Sequence, residues 1–192
     1  EASNLFRDYI GSRNNIHPDI RGVIFKLAAI SGNQSEYDSM WNLQTQTTLE
    51  EEKIRLLTAL TYYQQPKLLQ ETLIRSLSPE VRTHNTITLV IGIAANPFGR
   101  DLAWEFMKSN WQEFQNRYGD GGFALMRLVS LTSGFSTPER FRDVKTFFES
   151  NPAPAAERTI QQSLEQITLN IAWLEQNRLP LTKWFKKQTS NS

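Results

Sequence analysis

Asn151-Pro-Ala-Pro-Ala-Ala-Glu-Arg-Thr-Ile-Gln-Gln162 opens a run with almost no helix breaker that extends to Gln176. Two prolines stop one element, and a new one begins. Its apolar positions are Ile160, Leu164, Ile167, Ile171 and Leu174, in steps of four, three, four and three. That spacing lays one stripe along one side of a helix of about six turns. A helix with a single oily side needs a partner helix to cover it, so helix-on-helix packing is the first expectation.

Working outward, prolines and glycines divide the chain into short segments whose apolar spacing is helical, not alternating. The pattern predicts a helix over about 1–12 and a second from Pro18 to Ile30, with Gly32 just beyond. Ser35 is a cap for a third, through Trp41 and Leu43. Thr48-Leu-Glu-Glu51 reads as a capping box, followed by Leu56, Leu57 and Leu60 facing inward. Pro66 restarts the pattern with Leu69, Leu73 and Leu77. Asn85 or Thr86 caps an apolar helix to Ala95, which Asn96-Pro97 ends. Gly99 to Tyr118 holds one long or two abutting helices. After the Tyr118-Gly-Asp-Gly-Gly122 turn comes a helix from Phe123 to about Ser133. Ser136-Thr-Pro-Glu139 is a second capping box, opening a helix that carries Phe141, Val144 and Phe148. The 155–176 helix follows, and Pro180 opens a last short one with Trp184 and Phe185.

About ten helices joined by short loops predict an all-α fold of antiparallel pairs, stacked as a curved solenoid of the HEAT or armadillo sort. Residues 1–188 are expected to form one helical domain, with 189–192 a disordered tail. A globular bundle is the alternative, since no repeat recurs at a fixed period.

The 192 residues include 21% charged ones that nearly cancel, leaving a net charge of +1. This gives no electrostatic case for nucleic acid or an anionic membrane as partner. Without cysteine, disulfides and thiolate metal sites are excluded. No apolar run approaches the roughly 20 residues that span a bilayer. The opening Glu1-Ala-Ser-Asn-Leu-Phe-Arg7 has no apolar core of a signal peptide and reads as mid-helix sequence, the mark of an excised piece.

Chemistry-bearing patterns are sparse. A zinc peptidase needs two imidazoles four residues apart on one helix and a carboxylate base. Only His17 and His84 are present, far apart and each beside a loop, so both read as solvent or capping residues. Gly119-Asp-Gly-Gly122 lacks the lysine and preceding strand of a phosphate loop. Glu50, Glu51 and Glu52 sit at a helix start, where they complement the dipole. Trp104, Trp111, Trp173 and Trp184 stand at helical spacing and read as core before they read as a ligand platform. No catalytic or metal-binding residue stands out.

Several segments, taken in order, resemble the C-terminal domain of the M1-type zinc aminopeptidases. Arg100-Asp-Leu-Ala-Trp-Glu-Phe-Met-Lys-Ser-Asn-Trp111 is similar to the family's Leu-Ala-Trp helix ending in Asn-Trp. Asn116-Arg-Tyr118, Phe135-Ser-Thr137 and Asn170-Ile-Ala-Trp173 fit the same pattern. Glu51-Glu-Lys-Ile-Arg55, Ser78-Pro-Glu-Val-Arg82, Val144 to Ser150 and Pro152 to Gln162 look most like the puromycin-sensitive branch of the aminopeptidase N type. The resemblance runs from about residue 1 to 185.

The resemblance implies a HEAT-like domain that walls the peptide chamber of a zinc aminopeptidase and restricts or orients peptides. The full enzyme would remove N-terminal residues. Zinc and the catalytic groups would lie upstream, so this chain alone would hold no cofactor and be inert. Its partners would be the upstream catalytic domain and peptide substrates, and its compartment the cytoplasm. Arg21, Arg55, Arg127 and Arg158 lie on helices expected to face the chamber, where a guanidinium could pair with a peptide carboxylate. An interhelix salt bridge is the competing reading for each. Arg158 with Gln161 or Gln162 is expected to anchor the long helix. Relatives that sense peptide length carry a basic residue before the Asn-Pro turn, where this chain has Ala95. A freestanding helical-repeat adaptor that binds a protein segment in its groove remains the other functional reading.

Overall fold

A computed structural model describes residues 1–12, 16–119 and 123–189. Among them there are eleven α-helices, two short 3-10 turns and no strand. The helices are α1 (Ala2–Ser12), α2 (Pro18–Ser31), α3 (Gln34–Gln46), α4 (Glu50–Leu60), α5 (Pro66–Ser76) and α6 (Thr83–Ala95). They continue as α7 (Arg100–Ser109), α8 (Trp111–Tyr118), α9 (Phe123–Val129), α10 (Pro138–Ser150) and α11 (Glu157–Thr189). The 3-10 turns are Ser130–Gly134 and Pro154–Ala156. The chain divides into two compact units, Glu1–Arg117 and Tyr118–Ser192.

In the first unit the helices sort into two layers. Helices α2, α4 and α6 pack in succession, and α1, α3, α5 and α7 lie against them. This is what short loops between amphipathic helices produce, because each helix covers the oily side of its chain neighbour. Aromatic rings fill the seam. Phe6 meets Phe25 edge to face at 5.6 Å, and Tyr37 meets Tyr63 in the same way at 5.4 Å. Trp41, Trp104 and Phe114 are fully buried, and burial of each large apolar side chain contributes about 2–3 kcal/mol. Gly92 sets the approach of α6 to α4. A Cβ there would stand 2.8 Å from the Thr61 Cγ2 and 2.9 Å from its Oγ1, so any larger residue would push the two helices apart.

The second unit is built on α11. Its first half packs on α9, on α10 and on the Ser130–Gly134 turn. Ile160, Ser163 and Ile167 are buried there against a core that includes Leu128, Phe135, Val144 and Phe148. Asn170 fixes the register. Its Nδ2 donates to the carbonyls of Ser133 and Phe135, each at 2.9 Å, and so ends the 3-10 turn on the long helix.

Several element ends differ from the sequence reading. Helix α3 is capped by Asn33, not Ser35: the Asn33 Oδ1 accepts from the Ser35 amide at 2.8 Å, and the Glu36 carboxylate accepts from the Asn33 amide at 3.2 Å. The Thr48 box does not form, because α4 starts later, with Leu49 at its cap position and three glutamates in its first turn. Helix α6 starts earlier than Asn85. Both Asn85 and Thr86 are buried within it, and Thr86 Oγ1 donates to the Ser76 carbonyl at 2.7 Å. At α10 the cap is Thr137, which accepts from the Arg140 amide at 3.3 Å. The 123–133 segment is α9 followed by a 3-10 turn.

Pro180 does not open a new helix. It lies inside α11, which runs 33 residues without a break. Proline removes one helical donor and crowds the preceding turn. Here the neighbouring residues from Ala172 to Gln176 are exposed, so water can pair with the carbonyl left over. Thr189 is the last residue of this helix, and 190–192 lie outside the described residues. So do Asp120, Gly121 and Gly122 of the glycine turn.

Candidate functional site

Two of the four arginines expected on a chamber wall, Arg21 and Arg55, converge on one buried carboxylate. Glu52, on α4, is 4% exposed. Its Oε2 is 3.6 Å from Arg21 Nη1 and 3.4 Å from Arg55 Nη1. Its Oε1 accepts a 2.6 Å hydrogen bond from the Tyr9 hydroxyl of α1. Arg55 also pairs with Glu51 one turn back. Arg21 is held twice more: its Nε donates to the Ile16 carbonyl at 3.1 Å, and its guanidinium lies 5.1 Å from the centre of the Tyr9 ring. A buried charge is tolerated only when it is paired and hydrogen-bonded, and this cluster does both across α1, α2 and α4. The interhelix salt-bridge reading therefore describes Arg21, whereas Arg55 pairs with Glu51 and Glu52 within its own helix.

Arg127 and Arg158, in the second unit, are exposed, and their side chains make no hydrogen bond or ion pair among the described residues. The anchoring expected of Arg158 with its glutamines is not in the geometry. Gln161 Nε2 donates to Glu157 of its own helix at 3.5 Å, and Gln162 is exposed. Ile160, Ile167 and Asn170 hold α11 instead. Of the tryptophans read as core, Trp104 and Trp111 are buried, whereas Trp173 is 57% and Trp184 55% exposed.

Glu52 and Tyr9 did not stand out as a site in the sequence. The signal was present: Glu52 falls on the same helical face as Leu56 and Leu60, so its carboxylate had to enter the core or turn the helix away from it.

A second carboxylate joins α1 to α3. Glu36 Oε1 accepts from Arg7 Nη2 at 2.7 Å and from Arg7 Nε at 3.1 Å. The Arg7 hydrogen bonds hold the Glu36 carboxyl below the usual carboxylate range, against the opposing effect of burial, and the Asn33 amide adds to the lowering. Burial pushes the Tyr37 and Tyr63 phenols well above their ordinary value.

The two imidazoles are on separate elements. His17 caps α2, its Nδ1 accepting from the Asp19 amide at 3.4 Å. His84 Nε2 is 3.7 Å from Glu50 Oε1, beside the 2.7 Å Arg82–Glu50 pair. No group of three potential donors that could hold a metal occurs among the described residues. The residues present thus do not fit a catalytic zinc. No helix is long and apolar enough to cross a membrane among the described residues.

Each unit carries open grooves. In the first, Leu73, Ile74, Leu77, Leu102 and Phe106 line a groove of about 460 Å³ between α5 and α7. In the second, Phe148, Pro152, Ile160 and Leu164 line one of about 330 Å³ between α10 and α11. Neither contains any of the four arginines; the cation lining the second is Lys145, which lies 3.9 Å from Glu149.

Residues 1–169 match the profile of the ERAP1-like C-terminal domain. The chain belongs to that family. It is 30% identical to human aminopeptidase N over 198 aligned positions, covering all of this chain and 20% of the human protein. Bovine aminopeptidase N is 32% identical over 96% of the chain, again 20% of the relative. Aminopeptidase M1 of Arabidopsis thaliana is 30% identical over 91% of the chain and 20% of its own length. The chain thus spans about a fifth of the length of these relatives and corresponds to the C-terminal domain of aminopeptidase N-type enzymes.

Proposed function

We propose that this chain is the non-catalytic C-terminal domain of a zinc aminopeptidase, and that it walls the peptide chamber and orients peptides while the rest of the protein removes their N-terminal residues. One observation carries the reading: the C-terminal-domain profile covers 1–169, and the chain aligns almost end to end with a fifth of each aminopeptidase. The upstream portion would supply the zinc and the general base.

The layer of α2, α4 and α6 supports a wall that touches peptide without reacting. On α2, Ile20, Val23 and Leu27 share one face and are 46–56% exposed. Extended peptides bind such faces through apolar side chains, with nearby charge to select their ends. Arg21 and Arg55 are committed to Glu52, so they contribute rigidity under this face. Of the four arginines, Arg127 and Arg158, in the second unit, are the ones whose guanidinium is unpaired among the described residues.

The test uses the full-length parent enzyme. Its reading frame should encode His-Glu-x-x-His upstream. Arg127→Ala and Arg158→Ala, singly and together, should leave cleavage of a one-residue chromogenic substrate unchanged and raise KM for peptides of about ten residues. A parent frame without the zinc motif would overturn the reading. Equal effects on short and long substrates would remove the chamber-wall role and leave the domain assignment standing.

A further inference from the structure

The stripe that seats α11 continues past its seat. Ile160, Ile167, Leu174 and Leu181 recur at every seventh residue, so they fall on one side of the helix. Ile160 and Ile167 are buried by the second unit. Leu174 and Leu181 are 37% and 40% exposed, and Phe185, one turn beyond Leu181, is 58% exposed. Trp173 and Trp184 flank this half of the stripe, also more than half exposed. Trp184 and Phe185 meet edge to face at 5.0 Å. Large aromatic side chains clustered on a face in water mark a docking surface more often than chance exposure. A helix end with so few tertiary contacts is also marginal by itself, because most helical stability comes from packing.

Charge and coverage narrow the occupant. From Glu175 to Thr189 the helix carries Arg178, Lys183, Lys186 and Lys187 against the single Glu175. The rim of the stripe is therefore basic, and its complement is an apolar seat edged by carboxylates. The alignment with human aminopeptidase N covers the whole chain, this helix end included, yet only 20% of that protein. Four-fifths of such a polypeptide lies outside the chain and is available to cover the face.

We propose that the second half of α11, through Leu174, Leu181, Trp184 and Phe185, docks on the part of the same polypeptide outside this chain, in an apolar seat rimmed by acidic residues. The proposal rests on the reading of the chain as a C-terminal domain. It adds the contact that holds this domain to the remainder.

Hydroxyl-radical footprinting of the full-length parent protein, read residue by residue by mass spectrometry, tests this, with light scattering giving the mass of the labelled particle. Trp184 and Phe185 should be labelled several-fold less in the native monomer than in the urea-unfolded protein. The double variant W184E/F185E should restore labelling at Trp173 and Leu174, and K183E/K187E should do so partly and in a salt-insensitive way. Labelling of native Trp184 at the unfolded level would overturn the proposal. Protection confined to a dimeric fraction would overturn it in favour of a second copy. Protection gained only on adding phosphatidylserine vesicles would overturn it in favour of a lipid surface. Aminopeptidase activity measured on the same sample separates the two readings. An active enzyme with fully labelled Trp184 sinks the docking and leaves the proposed function intact. A protected face on an inactive protein supports the docking and counts against the function.

Discussion

Tyr9 and Glu52 are 43 residues apart in the chain and share a 2.6 Å hydrogen bond, which closes α1 onto α4 over the side of Arg21. The hydroxyl donates to a buried carboxylate, and hydrogen bonds to charged groups are worth about 1.5–3 kcal/mol. Tyr9→Phe should therefore lower the urea midpoint by a loss of that size. Glu52→Gln should cost more, because Arg21 would lose its counter-charge and Arg55 would keep only Glu51. A double-mutant cycle of Tyr9→Phe with Arg21→Ala should be clearly non-additive, since both act on one carboxylate.

The Arg7–Glu36 pair gives acid sensitivity a defined sign. The folded Glu36 carboxyl is held below its ordinary value, 4.5. The unfolded state thus binds this proton at higher pH than the folded one does. The stability from Glu36 is fully present above that ordinary value and is lost as pH falls through the lowered folded pKa. Glu36→Gln should flatten this part of the acid limb in a plot of unfolding free energy against pH. An acid limb unchanged by the substitution would contradict the assignment.

Asn170→Ala should release the long helix from the 3-10 turn. Two carbonyls, of Ser133 and Phe135, lose their donor, at a cost of about 1–3 kcal/mol. Amide exchange should speed up first in Ser130–Gly134 and in the middle of α11. Asn96 holds the first unit in the same manner, its Nδ2 donating to the carbonyls of Thr61 and Tyr63 at 2.9 and 2.8 Å. Asn96→Ala should produce a similar loss there.

Gly92→Ala should be costly although alanine is the better helix former. The added methyl meets Thr61 below 3.0 Å, and overpacking of this kind costs about 1–3 kcal/mol. Pairing it with Thr61→Ser, which removes the nearest methyl, should recover part of the loss in thermal melts.

Gln44 should respond in the opposite direction. It is fully buried, and neither its Oε1 nor its Nε2 has a hydrogen-bond partner among the described residues. Gln44→Met keeps the length and removes two unpaired polar atoms, so a gain of about 1 kcal/mol is expected in chemical unfolding.

The periodicity carried the architecture because helix-on-helix packing writes itself into local spacing. Pro18, Pro66, Asn96 and the 100–118 stretch mark element ends that the structure keeps. Caps were less legible, since Asn33 and Ser35, or Ser136 and Thr137, offer nearly equal chemistry one or two residues apart, and backbone direction decides between them. Pro180 misled because its effect depends on whether the freed carbonyl meets water. The roles of the arginines could not be read at all from spacing. A guanidinium on a helix face looks the same whether its carboxylate comes from a peptide or from Glu52. Trp173 and Trp184 were assigned to a core because the stripe they border is apolar, and periodicity does not say where the cover ends.

Helices α1 to α7 of the first unit each rest on a neighbour in the chain or on the next but one. Few of its pairings need distant stretches of chain to find each other before any contact forms. Loop-closure entropy is consequently small at every step, and ordering can start at any pair and spread. Assembly of Glu1–Arg117 should therefore be fast, on the order of milliseconds or less. It can begin while the remaining residues are still leaving the ribosome.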